Sequence, residues 1–189
     1  GTAIHHSDLG GYTTLAWVKR KREVFQRWAE LSAFTPIMRS HEGNRPDSNH
    51  QFNSDPQTLT HLARMTRVFT LLKPYHLALQ EEHVATGLPI FRPLFLHYPE
   101  DYTTYTLAYQ YLYGQDLLVA PVTKPRCRSW RLYLPGDTWV HLWTGKIFEP
   151  NQRNTGAWVE VEAPLGYPPV FYRKGSPWED LFQNVSRIS

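Results

Sequence analysis

Cysteine is almost missing from this chain: Cys127 is the only one in 189 residues. A single thiol closes no internal disulfide and builds no cysteine metal cage. No apolar run reaches the roughly 18 residues of a membrane-spanning helix, and no leader-like apolar segment stands at the start. Glycine-rich phosphate-binding loops are also lacking. Charge of one sign is scarce, with a net charge of only +3 and a pI near 9.0. The one basic cluster, "KRKRE" at Lys19 to Glu23, reads as the solvated outer face of a helix. Nucleic acid, which needs several phosphate contacts on one face, is therefore not expected as a partner, and neither is a membrane. These absences lean towards the cytoplasm without settling the compartment.

Aromatics are abundant by contrast, with seven Trp, eleven Tyr and nine Phe. That exceeds what a core of this size needs. Surplus aromatic rings line sites for ring-shaped ligands about as often as they fill β-rich cores. The length predicts one large domain or two small ones.

The first half alternates strand and helix. "TAIHHSD" is a short strand that ends at Gly10 and Gly11. A helix is expected from about Val18 to Phe34, with Val24, Phe25, Trp28, Leu31 and Ser32 on its buried face. Thr35-Pro36 stops it. "PIMRSHEGNRP" repeats the pattern of apolar start, polar residues and turn. A second helix is expected behind the N-cap Asp55 and Pro56, with an apolar face of Leu59, Leu62, Met65, Phe69 and Leu72. Pro74 breaks or kinks it, and a shorter helix follows to about Ala85, before Gly87.

From Leu88 the texture changes to seven short aromatic and β-branched runs separated by Pro, Gly, Asp and Asn. In "WVEVEA", Val159, Val161 and Ala163 share one face while Glu160 and Glu162 share the other. The runs predict an antiparallel β-sandwich. Pro177 to Val185 is expected to form a short terminal helix. The organisation expected is thus 1–87 as two βα units, 88–173 as a β-sandwich and 174–189 as a tail. The fold class is α/β plus all-β. Two βα units cannot close a (β/α)8 barrel, which needs about 250 residues. The chain starts at Gly1 inside an apparent strand, so the first half reads as the last quarter of a larger unit.

Asp8 and His41 each follow an apolar strand and lie about one βα unit apart. Neighbouring parallel strands would bring them out at the same end, where barrel enzymes do their chemistry. Three readings compete. Metal binding through His5, His6, Asp8 and His41 suffers because His5 and His6 point to opposite faces of a strand. A purely structural reading has Asp8 accepting from the glycine turn. The favoured reading is recognition of a polyhydroxylated ligand, because carboxylate, imidazole and amide groups beside aromatic walls suit sugar hydroxyls and apolar ring faces.

"HSDLGGYTT" followed by "RWAELSAFTPIMRSHEGNRP" resembles the end of the catalytic barrel of glycoside hydrolase family 31. "GLPIFRPLFLHYPED", "YLYGQDLLVAPV" and "YLPGDTWVHLWTGK" resemble that family's passage into its proximal C-terminal β-sandwich. Within the family, "HSDLGGY" and "MRSHEGNRP" look most like the sulfoquinovosidase branch. The resemblance implies a retaining α-glycosidase in which Asp8 and His41 hold hydroxyls of the sugar whose bond is cut. It implies that Tyr12 helps bind a sulfonate and that Arg39 orients neighbouring carboxylates. Glu42 and Asn44 fall in the loop after the last barrel strand, with their roles open.

The family's two catalytic aspartates lie on earlier strands, so no catalytic residue is expected in this chain. The resemblance implies no metal and no organic cofactor. The partners expected are an α-glycoside substrate and the N-terminal part of the barrel, without which the piece should be inactive and poorly soluble. Alternatives are an α-glucosidase or α-xylosidase of the same family, or a non-catalytic carbohydrate-binding remnant.

Overall fold

The computed structural model describes residues 4–150 and 155–188. Thr2 and Ala3, where the first strand was expected to start, lie outside the described residues. The two strand-like segments of the first half meet through one parallel bridge, Asp8 to Arg39, and the Leu9 N–H donates to the Arg39 carbonyl at 3.0 Å. The pairing is parallel, as a βα unit requires, but it is a single bridge rather than a continuous ladder.

Helix α1 runs Arg22–Ser32, shorter than its periodicity suggested. Ala16 at φ 48° and a tight turn from Leu15 to Val18 occupy the stretch before it. Phe25, Ala29 and Ser32 are buried, whereas Val24 faces outwards. Helix α2, Pro56–Leu71, starts as expected: Asp55 accepts a hydrogen bond from the Thr58 N–H at 2.8 Å. Helix α3, Lys73–Thr86, follows after a break at Leu72, because Pro74 cannot continue the hydrogen-bond ladder. Its left-handed cap, Gly87 at φ 76°, ends it. Among the described residues no helix is long and apolar enough to cross a membrane.

All seven runs of the second half carry strands: β1 (Phe91–Arg92), β2 (Tyr111–Tyr113), β3 (Leu117–Val119), β4 (Ser129–Leu134), β5 (Trp139–His141), β7 (Ala157–Glu162) and β8 (Val170–Arg173). An eighth, β6 (Ile147–Phe148), was not foreseen. Six of them make one antiparallel sheet in the order β1-β2-β3-β8-β5-β6, while β4 and β7 pair as a separate ribbon. Helix α4, Glu179–Ser186, closes the chain as expected.

The period of two in the sheet sorts the core into two layers. Tyr111, Tyr113, Leu117, Val119, Val140 and Tyr172 pack with Phe25, Met65, Val68, Tyr75 and Leu79 of the helices and with Phe182 and Val185 of α4. The alternate residues Leu112, Leu118, Trp139 and Phe171 pack with Leu132 and Leu134 of the ribbon. The central strands are therefore buried on both faces, which is why they read as unbroken apolar runs. A buried ion pair fixes α1 to the sandwich. Arg27 meets Glu30 at 3.0 Å and donates to the Cys127 and Ala163 carbonyls, while Glu30 accepts from the Gly166 N–H at 2.6 Å. Helix α1 and the loops that precede it are thereby held in place.

Candidate functional site

The loop of residues 8–15 and the loop of residues 39–51 converge at one rim. At its base, Asp8 faces the Arg39 guanidinium, with Oδ1 3.3 Å from Nε. The Asp8 side chain is only 16% exposed, and among the described residues Oδ1 makes no hydrogen bond. An ion pair without hydrogen-bond alignment leaves that oxygen as an acceptor with capacity to spare.

Tyr12 and His41, one from each loop, stand side by side, edge to face, with ring centroids 5.0 Å apart. The Gly43 N–H donates to His41 Nδ1 at 3.0 Å. That bond puts the imidazole proton on Nε2, which becomes a donor. Tyr12 is 47% exposed, so its ring is a wall rather than core. His41 also lines a cleft of about 300 Å³ with Ser40, Glu42, Gln51 and Phe52.

The other expected residues divide. Arg39 is placed against Asp8. Asn44 acts as a strap: its Oδ1 accepts from the Thr14 N–H at 2.7 Å, its Nδ2 donates to the Thr14 carbonyl, and its own N–H donates to the Tyr12 carbonyl. Glu42 is exposed, and its carbonyl rather than its carboxylate joins the network, accepting from Arg20, Asn49 and Gln51. His5 lies against the Phe91 ring, 5.4 Å between centroids. Among the described residues, no group of three or more His, Cys, Asp or Glu is arranged to hold a metal ion.

Two residues escaped the sequence reading. Asn49 is buried, accepting from the Thr14 hydroxyl and donating to the Glu42 carbonyl. Arg20, inside the "KRKRE" run, is not on a solvated face. It is 6% exposed and lies between the two loops. Burial lowers its pKa from the ordinary value, and the nearby Asp8 charge works in the opposite direction. Nothing in the basic run sets it apart from Lys19, Lys21 and Arg22.

Residues 1–78 match the glycosyl hydrolases family 31 TIM-barrel domain, and residues 87–176 match the glycosyl hydrolase family 31 C-terminal domain. The chain belongs to glycoside hydrolase family 31. It is 54% identical over 188 residues to a sulfoquinovosidase of Escherichia coli K12, covering 100% of this chain and 27% of the relative. Alpha-glucosidase 2 of Bacillus thermoamyloliquefaciens is 31% identical over 178 residues, covering 93% of this chain and 21% of that protein. Among solved structures, a family 31 sulfoquinovosidase from E. rectale, in complex with an aza-sugar inhibitor, superposes with a TM-score of 0.92. It is 47% identical and aligns over 97% of this chain and 27% of its own.

The chain thus spans about a quarter of the length of these sulfoquinovosidase relatives. Its fold is the family's: a portion of the TIM barrel, here the α1–α3 half with one parallel bridge, leading into an antiparallel sandwich. The helices and sheet share one core in this family 31 chain, so the loop rim is anchored from below by the sandwich.

Proposed function

We propose that this chain is the C-terminal part of a retaining α-glycosidase that hydrolyses α-sulfoquinovosides, and that the 8–15 and 39–51 loops form one wall of its sugar site. On this reading residues 1–87 are the last two βα units of the catalytic barrel, residues 88–173 the proximal sandwich and residues 174–189 a tail. The observation that carries it is the Asp8 carboxylate, largely buried, charge-paired to Arg39, yet with one oxygen making no hydrogen bond among the described residues. A buried carboxylate oxygen in that condition is costly unless a ligand donor completes it. Sugar hydroxyls are donors of the right kind.

The roles follow from the chemistry of each group. Asp8 accepts from hydroxyls of the sugar whose bond is cut. His41 donates through Nε2. Tyr12 covers a ring face and presents its hydroxyl towards a sulfonate. Arg39 holds the Asp8 carboxylate in place. Retaining hydrolysis needs two further carboxyl groups about 5–5.5 Å apart, one nucleophile and one acid/base, flanking an oxocarbenium-like transition state. We assign these to the rest of the barrel, so the 189-residue chain alone should not turn over. The similarity to named sulfoquinovosidases over the whole chain supports the sulfonated substrate over a plain glucoside.

The deciding experiment uses the full-length protein with an aryl α-sulfoquinovoside and the matching aryl α-glucoside. A clear preference in kcat/KM for the sulfonated sugar is expected. Equal or higher kcat/KM for the glucoside would replace this reading with an α-glucosidase.

A further inference from the structure

We propose that Arg20 is a positioning residue for this sugar site: it sets the loop that carries Tyr12 against the loop that carries His41. The proposal rests on the functional reading above and adds a residue to its machinery. Nη1 donates to the His41 carbonyl at 2.8 Å, to the Leu9 carbonyl at 3.0 Å and to the Gly11 carbonyl at 3.2 Å. Nη2 donates to Gln51 Oε1 at 2.8 Å and to the Glu42 carbonyl at 3.3 Å. Nε donates to the His50 carbonyl at 2.8 Å. One planar fork therefore grips both loops at once, and it does so at His41 itself and at the residue before Tyr12.

The chemistry of the acceptors separates positioning from ion pairing. Each one is a backbone carbonyl or a side-chain amide, so what the site selects in Arg20 is the fixed geometry of its donors. A lysine ammonium, with three donors on a flexible stem, cannot reproduce that pattern. Gly10 supplies a second, independent observation. Its φ is +76°, and a Cβ there would lie 2.2 Å from Arg20 Cδ and 2.8 Å from Cγ. The first glycine of the pair is thus the gap through which the arginine passes beneath the turn. Gly11 has no such crowding, its nearest neighbour being Trp28 Cη2 at 4.0 Å. The loops are also tied by Thr14 to Asn44 and Asn49, which Arg20 does not touch through its side chain. Removing the guanidinium should therefore loosen the Gly11–Tyr12 end while the Thr14 end stays closed.

The test uses the full-length protein carrying Arg20→Lys, Arg20→Ala or Gly10→Ala, with the α-glycoside that the wild type cleaves best. All three should melt cooperatively. Arg20→Lys should lose about 10–100-fold in kcat/KM with a raised KM, because small misplacements of binding groups are that expensive. Guanidinium ion at tens of millimolar should restore part of the Arg20→Ala rate and none of the Gly10→Ala rate, since only the former leaves room for it. Wild-type KM and kcat in Arg20→Lys would overturn the proposal. So would a loss that only tracks the folded fraction without guanidinium rescue, or failure of all three variants to fold, since each indicates a purely structural arginine. Failure of the functional reading shows separately, in the wild type's substrate preference. In that case, faster hydrogen exchange confined to residues 9–12 and 41–44 of Arg20→Lys still reports on positioning, and unchanged exchange there overturns it.

Discussion

Tyr12 and His41 meet edge to face at 71°, although they come from different loops and each is anchored by its own backbone contacts. The contact brings the edge of one ring to the face of the other. Tyr12→Phe should therefore keep the wall and leave stability within about 0.5 kcal/mol, as for surface changes generally. If the hydroxyl meets a charged sulfonate, losing a bond worth about 1.5–3 kcal/mol should cut kcat/KM about 10–100-fold. The matching glucoside should be cleaved as before. Parallel kinetics on the two substrates check this, and equal losses on both would remove Tyr12 from sulfonate recognition.

Asp8 and Arg39 predict a different split. Asp8→Asn keeps the shape of the side chain. It removes an ion pair to a half-exposed arginine, worth about 0–1 kcal/mol, together with the favourable field of Asp8 on the buried Arg20. The folded protein should melt within a few degrees of wild type. Activity of the full-length enzyme should fall at least about 100-fold, because charged acceptors to two hydroxyls are lost. Arg39→Met should act in the same direction more weakly, since it disturbs the holder and not the ligand. Melting curves and kcat/KM on the same preparations test both, and an active Asp8→Asn enzyme would refute the assignment.

Tyr75 offers a prediction about stability alone. It is buried on α3, donates to the Tyr113 carbonyl at 2.7 Å and accepts from the Asp116 N–H at 3.2 Å. Tyr113 ends β2, and Asp116 lies in the turn that leads to β3. Tyr75→Phe strands these two buried groups and should cost about 2–3 kcal/mol. Gly114→Ala should also be costly. The residue sits at φ +66°, and a Cβ would come within 2.4 Å of the Tyr75 hydroxyl and 2.5 Å of Leu79. Urea midpoints measure both effects, and a near-neutral Tyr75→Phe would mean that water satisfies the turn.

The strands of the second half were legible because their chemistry is local. "WVEVEA" alternates, and its burial alternates with it. "YLY" and "LLV" announce strands but not which residues face the helices and which the ribbon, because apolar residues fill both sides. Strand β6 has two residues and, among the described residues, pairs with β5 alone, too short to show any period. Leu59 fits the apolar stripe of α2 yet is 49% exposed, in a cleft beside Leu165 and Tyr167. Met65 and Leu72 of that stripe are buried as expected, and Val68, which was not assigned to it, joins them. At the candidate site, Asp8, Tyr12 and His41 stood out because polar groups after apolar strands are conspicuous. Arg20 did not, since a buried arginine among exposed Lys19, Lys21 and Arg22 looks like any basic run. What distinguishes it is six acceptors drawn from two loops, a long-range fact with no local signature.

His141 gives the molecule an acid limit. It lies on β5, edge-on to Phe171 at 5.0 Å, with Nδ1 3.0 Å from the Thr144 hydroxyl; among the described residues its buried Nε2 makes no hydrogen bond. Burial, helped by the Lys146 charge, pushes its pKa from 6.5 down to about 4. The unfolded chain thus takes a proton near its ordinary value that the folded chain refuses until much lower pH. The associated stability is complete above about pH 6.5 and is lost as pH falls towards about 4. At about 1.4 kcal/mol per unit, the histidine alone accounts for up to about 3 kcal/mol. His61 on α2, held down to about 4 chiefly by burial, acts the same way. Glu30 acts oppositely, because burial raises its pKa to about 7 against the pull of Arg27, so its share is lost as pH rises from 4.5 to about 7. His50, His76 and His97, also lowered by burial, act with these two histidines, and Asp116, raised by burial, acts with Glu30; the histidines outnumber the carboxyls, and stability falls on acidification. His141→Phe keeps a ring against Phe171 and removes one of these histidines. Urea midpoints at about pH 7.5, 6 and 5 should fall less steeply in that variant than in wild type. Parallel curves would mean that His141 accepts its proton inside the fold.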